Sequence, residues 1–152
     1  MKMNKRGVTL IELVIVFAII AIGAVLMVPN MGAWLPNYRL RSGARDLVST
    51  MRVAQMRAVS NNTNYQVLIA GGSYTLQRDS LGLLWITEGD TKTFPTGITI
   101  SNNTFPALGT TPAGSSLFRP NSSSNGGTLV LVNTKTQRTI TVLPSTGRIS
   151  IQ

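Results

Sequence analysis

Between Val8 and Val28 the chain runs for 21 residues interrupted only by Thr9, Glu12 and Gly23, directly after the basic leader Lys2, Lys5 and Arg6 and a single glycine, Gly7. As a helix such a run would be about 31 Å long, close to the thickness of a bilayer's hydrocarbon core. One carboxylate, Glu12, stands just inside it. An isolated charge at that depth costs on the order of 2.5–3.5 kcal/mol in lipid, so an acid placed there implies a partner for it. No other stretch of the sequence restricts the fold so strongly.

The chemistry open to the remainder is limited. The chain has no cysteine and no histidine, and its acids are Glu12, Asp46, Asp79, Glu88 and Asp90. That inventory offers no disulfide framework, no thiolate, no transition-metal ligand set and few groups for acid–base catalysis. The sequence therefore predicts a protein that is not an enzyme, with no cofactor and no metal. The formal charge of +9 points to an anionic partner, although three of the fourteen basic residues precede Gly7. With only 12% charged residues, the exterior must be largely Ser, Thr, Asn and Gly.

Residues 1–7 read as a leader, 8–28 as a transmembrane helix, 29–62 as a continuation of the helix outside the membrane, and 63–152 as a β-rich domain. Pro29, Gly32 and Pro36 are expected to kink or loosen the helix where they fall. Helical periodicity returns from about Arg39 to Ser60. Leu40, Ala44, Leu47, Val48, Met51, Ala54 and Ala58 there define one apolar face, and Arg41, Arg45 and Arg52 an adjacent one. Asn61 to Asn64 should end the helix.

Short strands follow. Tyr65–Ala70 and Ser73–Arg78 flank Gly71-Gly72, a two-residue hairpin signal, and Leu83–Thr87 and Ile98–Ser101 are further candidates. Residues 102–127, rich in Asn, Gly, Ser, Thr and Pro, read as a long irregular connection. Thr128–Asn133, Arg138–Leu143 and Arg148–Ile151 alternate apolar and polar residues, as an antiparallel meander would.

Gly7-Val8-Thr9-Leu10-Ile11-Glu12-Leu13 resembles the processing site of type IV pilins and type II secretion pseudopilins. The resemblance implies cleavage between Gly7 and Val8 by a prepilin peptidase and N-methylation of Val8 by the same enzyme. It also implies assembly into a fibre with other pilins or pseudopilins guided by Glu12, and a helix break at Pro29. Val8 departs from the phenylalanine or methionine commoner at that place. Arg57-Ala58, the strand beginning Tyr65-Gln66-Val67 and the terminal Thr146-Gly147-Arg148-Ile149 resemble the minor-pilin family that includes GspH and FimT. The implied fold is α+β and pilin-like: a long N-terminal transmembrane and amphipathic helix packed on a C-terminal antiparallel β-domain. The implied location is a single pass of the inner membrane, N-terminus cytoplasmic and C-terminal domain periplasmic, and then a pilus or pseudopilus.

The residues supply a physical reason for Glu12. Cleavage would leave a positive amine on Val8, four residues before it, and i and i+4 share a helix face. That amine can neutralise Glu12 in its own chain or in a neighbour, the second option turning a penalty in the monomer into an attraction between subunits. Three simpler readings compete. Thr9-Leu10-Ile11-Glu12 fits a helix capping box. A secretory signal peptide is disfavoured by the length of the apolar run and the acid at its start. A plain signal anchor would account for the basic leader.

Arg41, Arg45, Arg52 and Arg148 are the candidate contacts for DNA or another anion, against the simpler reading of a solvated helix edge and an outward strand residue. In the FimT branch, which resembles DNA receptors of natural transformation, a glycine-arginine pair is followed two residues later by a second arginine. Here Gly147-Arg148 is followed by Ser150. DNA is accordingly the less favoured partner. Secretion or pilus subunit, DNA-uptake pilin and major pilin remain the three functional readings, the first leading.

Overall fold

The computed structural model describes residues 8–27, 31–82 and 84–152. The leader, with Gly7, and the expected helix break at Pro29 lie outside the described residues. Among the described residues two helices precede nine strands: α1 (Leu10–Met27), α2 (Met31–Ser60), β1 (Tyr65–Ala70), β2 (Ser73–Ser80), β3 (Leu84–Thr87), β4 (Lys92–Thr93), β5 (Thr99–Asn103), β6 (Ser116–Phe118), β7 (Gly127–Val132), β8 (Gln137–Val142) and β9 (Ile149–Ile151). The chain divides into two compact units, residues 1–35 and 36–152.

In the first unit, α1 is apolar all round. From Leu10 to Ile22 its large side chains are exposed, with 62% of Phe17 and 64% of Ile19 open. An 18-residue helix is about 27 Å long, slightly short of a ~30 Å hydrocarbon core. Among the described residues no helix is long and apolar enough to cross a membrane.

The second unit is built around α2. All seven residues of the predicted apolar face, Leu40, Ala44, Leu47, Val48, Met51, Ala54 and Ala58, are buried. Pro36 lies inside α2 and does not end it. Its carbonyl accepts a hydrogen bond from Asn133 Nδ2 at 2.9 Å, and Asn133 Oδ1 accepts from the backbone N–H groups of Lys135 and Thr136, fixing the β7–β8 turn beside the helix.

Two antiparallel sheets share the α2 wall. One has the order β3-β2-β1-β6, with β4 also on β2; the other has the order β5-β7-β8-β9. Val67, Ile69, Tyr74, Leu76 and Phe118 of the first sheet join Leu129, Leu131, Ile140 and Val142 of the second in a single core with the helix. The β1–β2 hairpin turns at Gly71-Gly72 as expected, both at positive φ (56° and 79°), which favours glycine at each. The meander β7-β8-β9 also forms as expected.

The 102–127 segment differs from its expectation. It holds the end of β5, all of β6 and the first residue of β7. β6 pairs with β1 over only three residues, Ser116, Leu117 and Phe118, all buried, so no alternation announces it. β4 is two residues long and carries no periodicity at all.

Two polar networks tie the sheets to the helix. Glu88 receives Arg57 at 2.7 Å and Arg78 at 3.0 Å and accepts from the Tyr65 hydroxyl, joining the end of α2 to β1 and β2. Asp46 accepts from the Tyr74 hydroxyl and from Lys92 Nζ at 3.0 Å, joining the middle of α2 to β2 and β4. The Tyr74 hydrogen bond, aided by Lys92 and opposed by partial burial, holds the Asp46 carboxyl below the usual carboxylate range. Burial and then Asp46 itself push the Tyr74 hydroxyl well above its ordinary value.

Leu47 is fully buried on the shared wall, so Leu47→Ala should cost about 2–5 kcal/mol, read as a lower denaturant midpoint at unchanged slope. Because the folded-state pKa of Asp46 is depressed, its contribution is present above the unfolded value near pH ~4 and is lost as pH falls through the folded value. Asp46 is largely solvated, so screening keeps this below about 1 kcal/mol. Acid titration of stability should show a shallower loss below pH ~4 in Asp46→Asn than in the wild type, and identical slopes would refute the network's role.

Candidate functional site

At the start of α1, Val8 is exposed and Thr9 is the N-cap: Thr9 Oγ1 accepts from the Glu12 N–H at 3.3 Å, and Thr9 O accepts from the Leu13 N–H. Only half of a capping box is made. The backbone of Glu12 is engaged, but among the described residues its carboxylate has no hydrogen bond and no ion pair, and it is exposed. A negative charge in the first turn is also favoured by the helix dipole, an effect that needs no side-chain contact. The capping reading therefore accounts for Thr9 and leaves the acid of Glu12 uncommitted, within a helix whose apolar flanks nothing in the described residues covers.

The four arginines singled out by sequence do not form one site. Arg41 and Arg45, one turn apart on α2, line a cleft of about 220 Å³ together with Ala44, Arg138 and Ile151. Arg52 and Arg148 are exposed but lie outside its lining. Arg138 was not among the sequence candidates. It shares the strand face of Ile140 and Val142, the inward one, and is half-buried there. The alternation of β8 carried this signal.

Gly147 has a packing reason of its own. It sits at φ +61°, and a Cβ there would lie 2.5 Å from the Ser122 carbonyl oxygen and 2.7 Å from Gln55 Nε2. Gln55 also donates to the Thr146 carbonyl at 3.2 Å, so this turn presses directly on α2. Arg148 follows it with an exposed side chain, its backbone N–H donating to Thr146 Oγ1. The glycine of the Gly147-Arg148 pair is thus explained without any ligand. Among the described residues no group of acidic side chains could hold a metal ion.

A helix-backed pair of antiparallel sheets, preceded by an apolar helix with one acid in its first turn, defines the pilin class. The prokaryotic N-terminal methylation motif matches residues 2–28, and the domain of the type II transport protein GspH matches residues 43–146. The chain belongs to the GspH family, and it is a minor pilin or pseudopilin, a class of membrane-anchored structural subunits. Its fold is similar to that of the minor pseudopilin EpsH from the type 2 secretion system of Vibrio cholerae, with a TM-score of 0.61 at 12% identity over 75% of this chain and 96% of that one. It is also similar to the type IV minor pilin FimU of Pseudomonas aeruginosa, with a TM-score of 0.57 at 15% identity over 76% and 90% of the two chains. No curated protein matches it in sequence.

Gly147→Ala should therefore destabilise the domain by about 2 kcal/mol or more, through left-handed strain and the backbone clash, whereas Arg148→Gln should stay within about 0.5 kcal/mol of the wild type. Thermal melts of both variants check this, and a tolerated Gly147→Ala would contradict the packing account.

Proposed function

We propose that the chain is a minor pseudopilin of a type II secretion pseudopilus, cut between Gly7 and Val8 by prepilin peptidase, N-methylated on Val8 and assembled through α1. The observation that carries this reading is the uncovered apolar surface of α1 with the uncommitted carboxylate of Glu12 at its start. A helix that is apolar on every side must be covered by lipid, by other helices, or by each in turn. Apolar contact alone gives a helix no preference for another helix over lipid, so a polar contact is the natural source of recognition. The Val8 amine of one subunit and Glu12 of the next would supply it, setting the axial register of neighbouring subunits.

Before assembly, residues 8–28 cross the inner membrane with the basic leader on the cytoplasmic side and the β-domain in the periplasm. The family assignment favours secretion over a type IV pilus. DNA uptake is less supported, since Ser150 stands where a second arginine would be and Gly147 is accounted for by packing. A major pilin is likewise not favoured.

The test is made in the native host. The mature protein should begin at Val8 carrying one added methyl group, read by intact mass. Glu12→Ala should still be inserted and cut, yet be depleted from sheared or cross-linked fibres. Normal incorporation of that variant would refute the assembly role of Glu12, and an uncut leader would refute the processing site. Deletion should abolish exoprotein release; loss of twitching or of transformation instead would move the subunit to a pilus or an uptake system.

A further inference from the structure

We propose that Arg41, Arg45 and Arg138 form a binding cleft for a phosphate group. Arg41, Arg45 and Arg138 line one cleft of about 220 Å³ whose remaining walls, Ala44 and Ile151, are apolar and whose lining includes no acid. Among the described residues none of the three forms an ion pair. Three of the domain's four acids are engaged elsewhere: Asp46 with Tyr74 and Lys92, Glu88 with Arg57 and Arg78, and Asp79 with Asn64. Neither do the lining residues include Asp90 or Gln152.

Three like charges gathered without a counter-charge repel one another, and the arrangement is relieved by an anion from outside the chain. Guanidinium forks match oxyanions in geometry as well as charge, and three of them carry more positive charge than one carboxylate balances, which favours phosphate. The mounting is rigid on both sides. Arg41 and Arg45 flank Ala44, which is buried in the core, and Arg138 pairs in register with the fully buried Leu131 across the β7–β8 ladder.

Two sources share this chemistry, the headgroup of an anionic phospholipid and free phosphate. The lipid source rests on the membrane insertion proposed above, because a chain tethered in the bilayer meets headgroups at high effective concentration. Tyr38 lies one turn before Arg41 on the same helix face and is 54% exposed, as suits a bilayer interface. The anion cleft itself does not depend on that insertion.

The experiment uses the full chain in phosphatidylcholine nanodiscs, with inorganic phosphate titrated at low salt by calorimetry. Saturable binding with one site per chain is expected, weakened about tenfold (roughly 1.4 kcal/mol) by Arg138→Gln and by Arg41→Gln. Lys135→Gln, which removes the same charge outside the cleft, should leave it unchanged. Arg41 is exposed on α2, so its replacement keeps the test valid if Arg138→Gln fails to fold. In phosphatidylglycerol discs, disappearance of the phosphate heat would identify the headgroup as the occupant, while its persistence would identify soluble phosphate. Exclusion of the chain from discs would refute the insertion and not the cleft, which is then titrated in detergent. Absence of saturable binding, or an equal loss in Lys135→Gln, overturns the proposal.

Discussion

Both sheets of the globular unit depend on one stripe of α2. Each is made of short strands and presents one apolar face, and among the described residues the apolar layers against it are the helix and the opposite sheet. Burial of apolar area is the main favourable term in folding, and here Leu40, Leu47, Met51 and the three alanines near them provide it for both sheets at once. The small side chains contribute beside the large ones: Ala44, Ala54 and Ala58 are each almost fully enclosed.

That stripe was the most legible part of the fold. Its spacing follows the 3.6-residue period over five turns, and every predicted member is buried. The first hairpin and the final meander were legible for related reasons: a Gly-Gly turn in one case and strict alternation in the other. β4 and β6 were not. Two or three residues cannot express a period, and their pairing is set by β2 and β1, which lie far away in sequence. Burial of Ser115 and Ser116 beside Leu117 and Phe118 further disguised β6 as loop.

The charged groups divide in a way composition could not reveal. Two of the five acids, Asp46 and Glu88, are spent bracing α2 against β2 and its neighbours. The arginines are in excess, and Arg41 and Arg45 meet Arg138 only because the sheet brings residue 138 back to the helix. A spacing argument along α2 finds the first two and has no access to the third. Glu12 is the opposite case. Its chemistry was evident from its setting in the sequence, and the fold adds that its carboxylate is not consumed by the cap it helps to form.

Pro36 bears on how such a helix would behave under mechanical load. Lacking an N–H, it removes one rung from the α2 hydrogen-bond ladder, so a pull along the helix axis meets its weakest point there. At Pro36 and Asn37 the helix is also held laterally: Asn133 grips the Pro36 carbonyl, and Asn37 accepts from Thr136. Stretching would therefore begin on the N-terminal side of Pro36 and stall at this clamp. Under such a load the segment before Pro36 would lengthen first, while the domain behind the clamp would keep its shape.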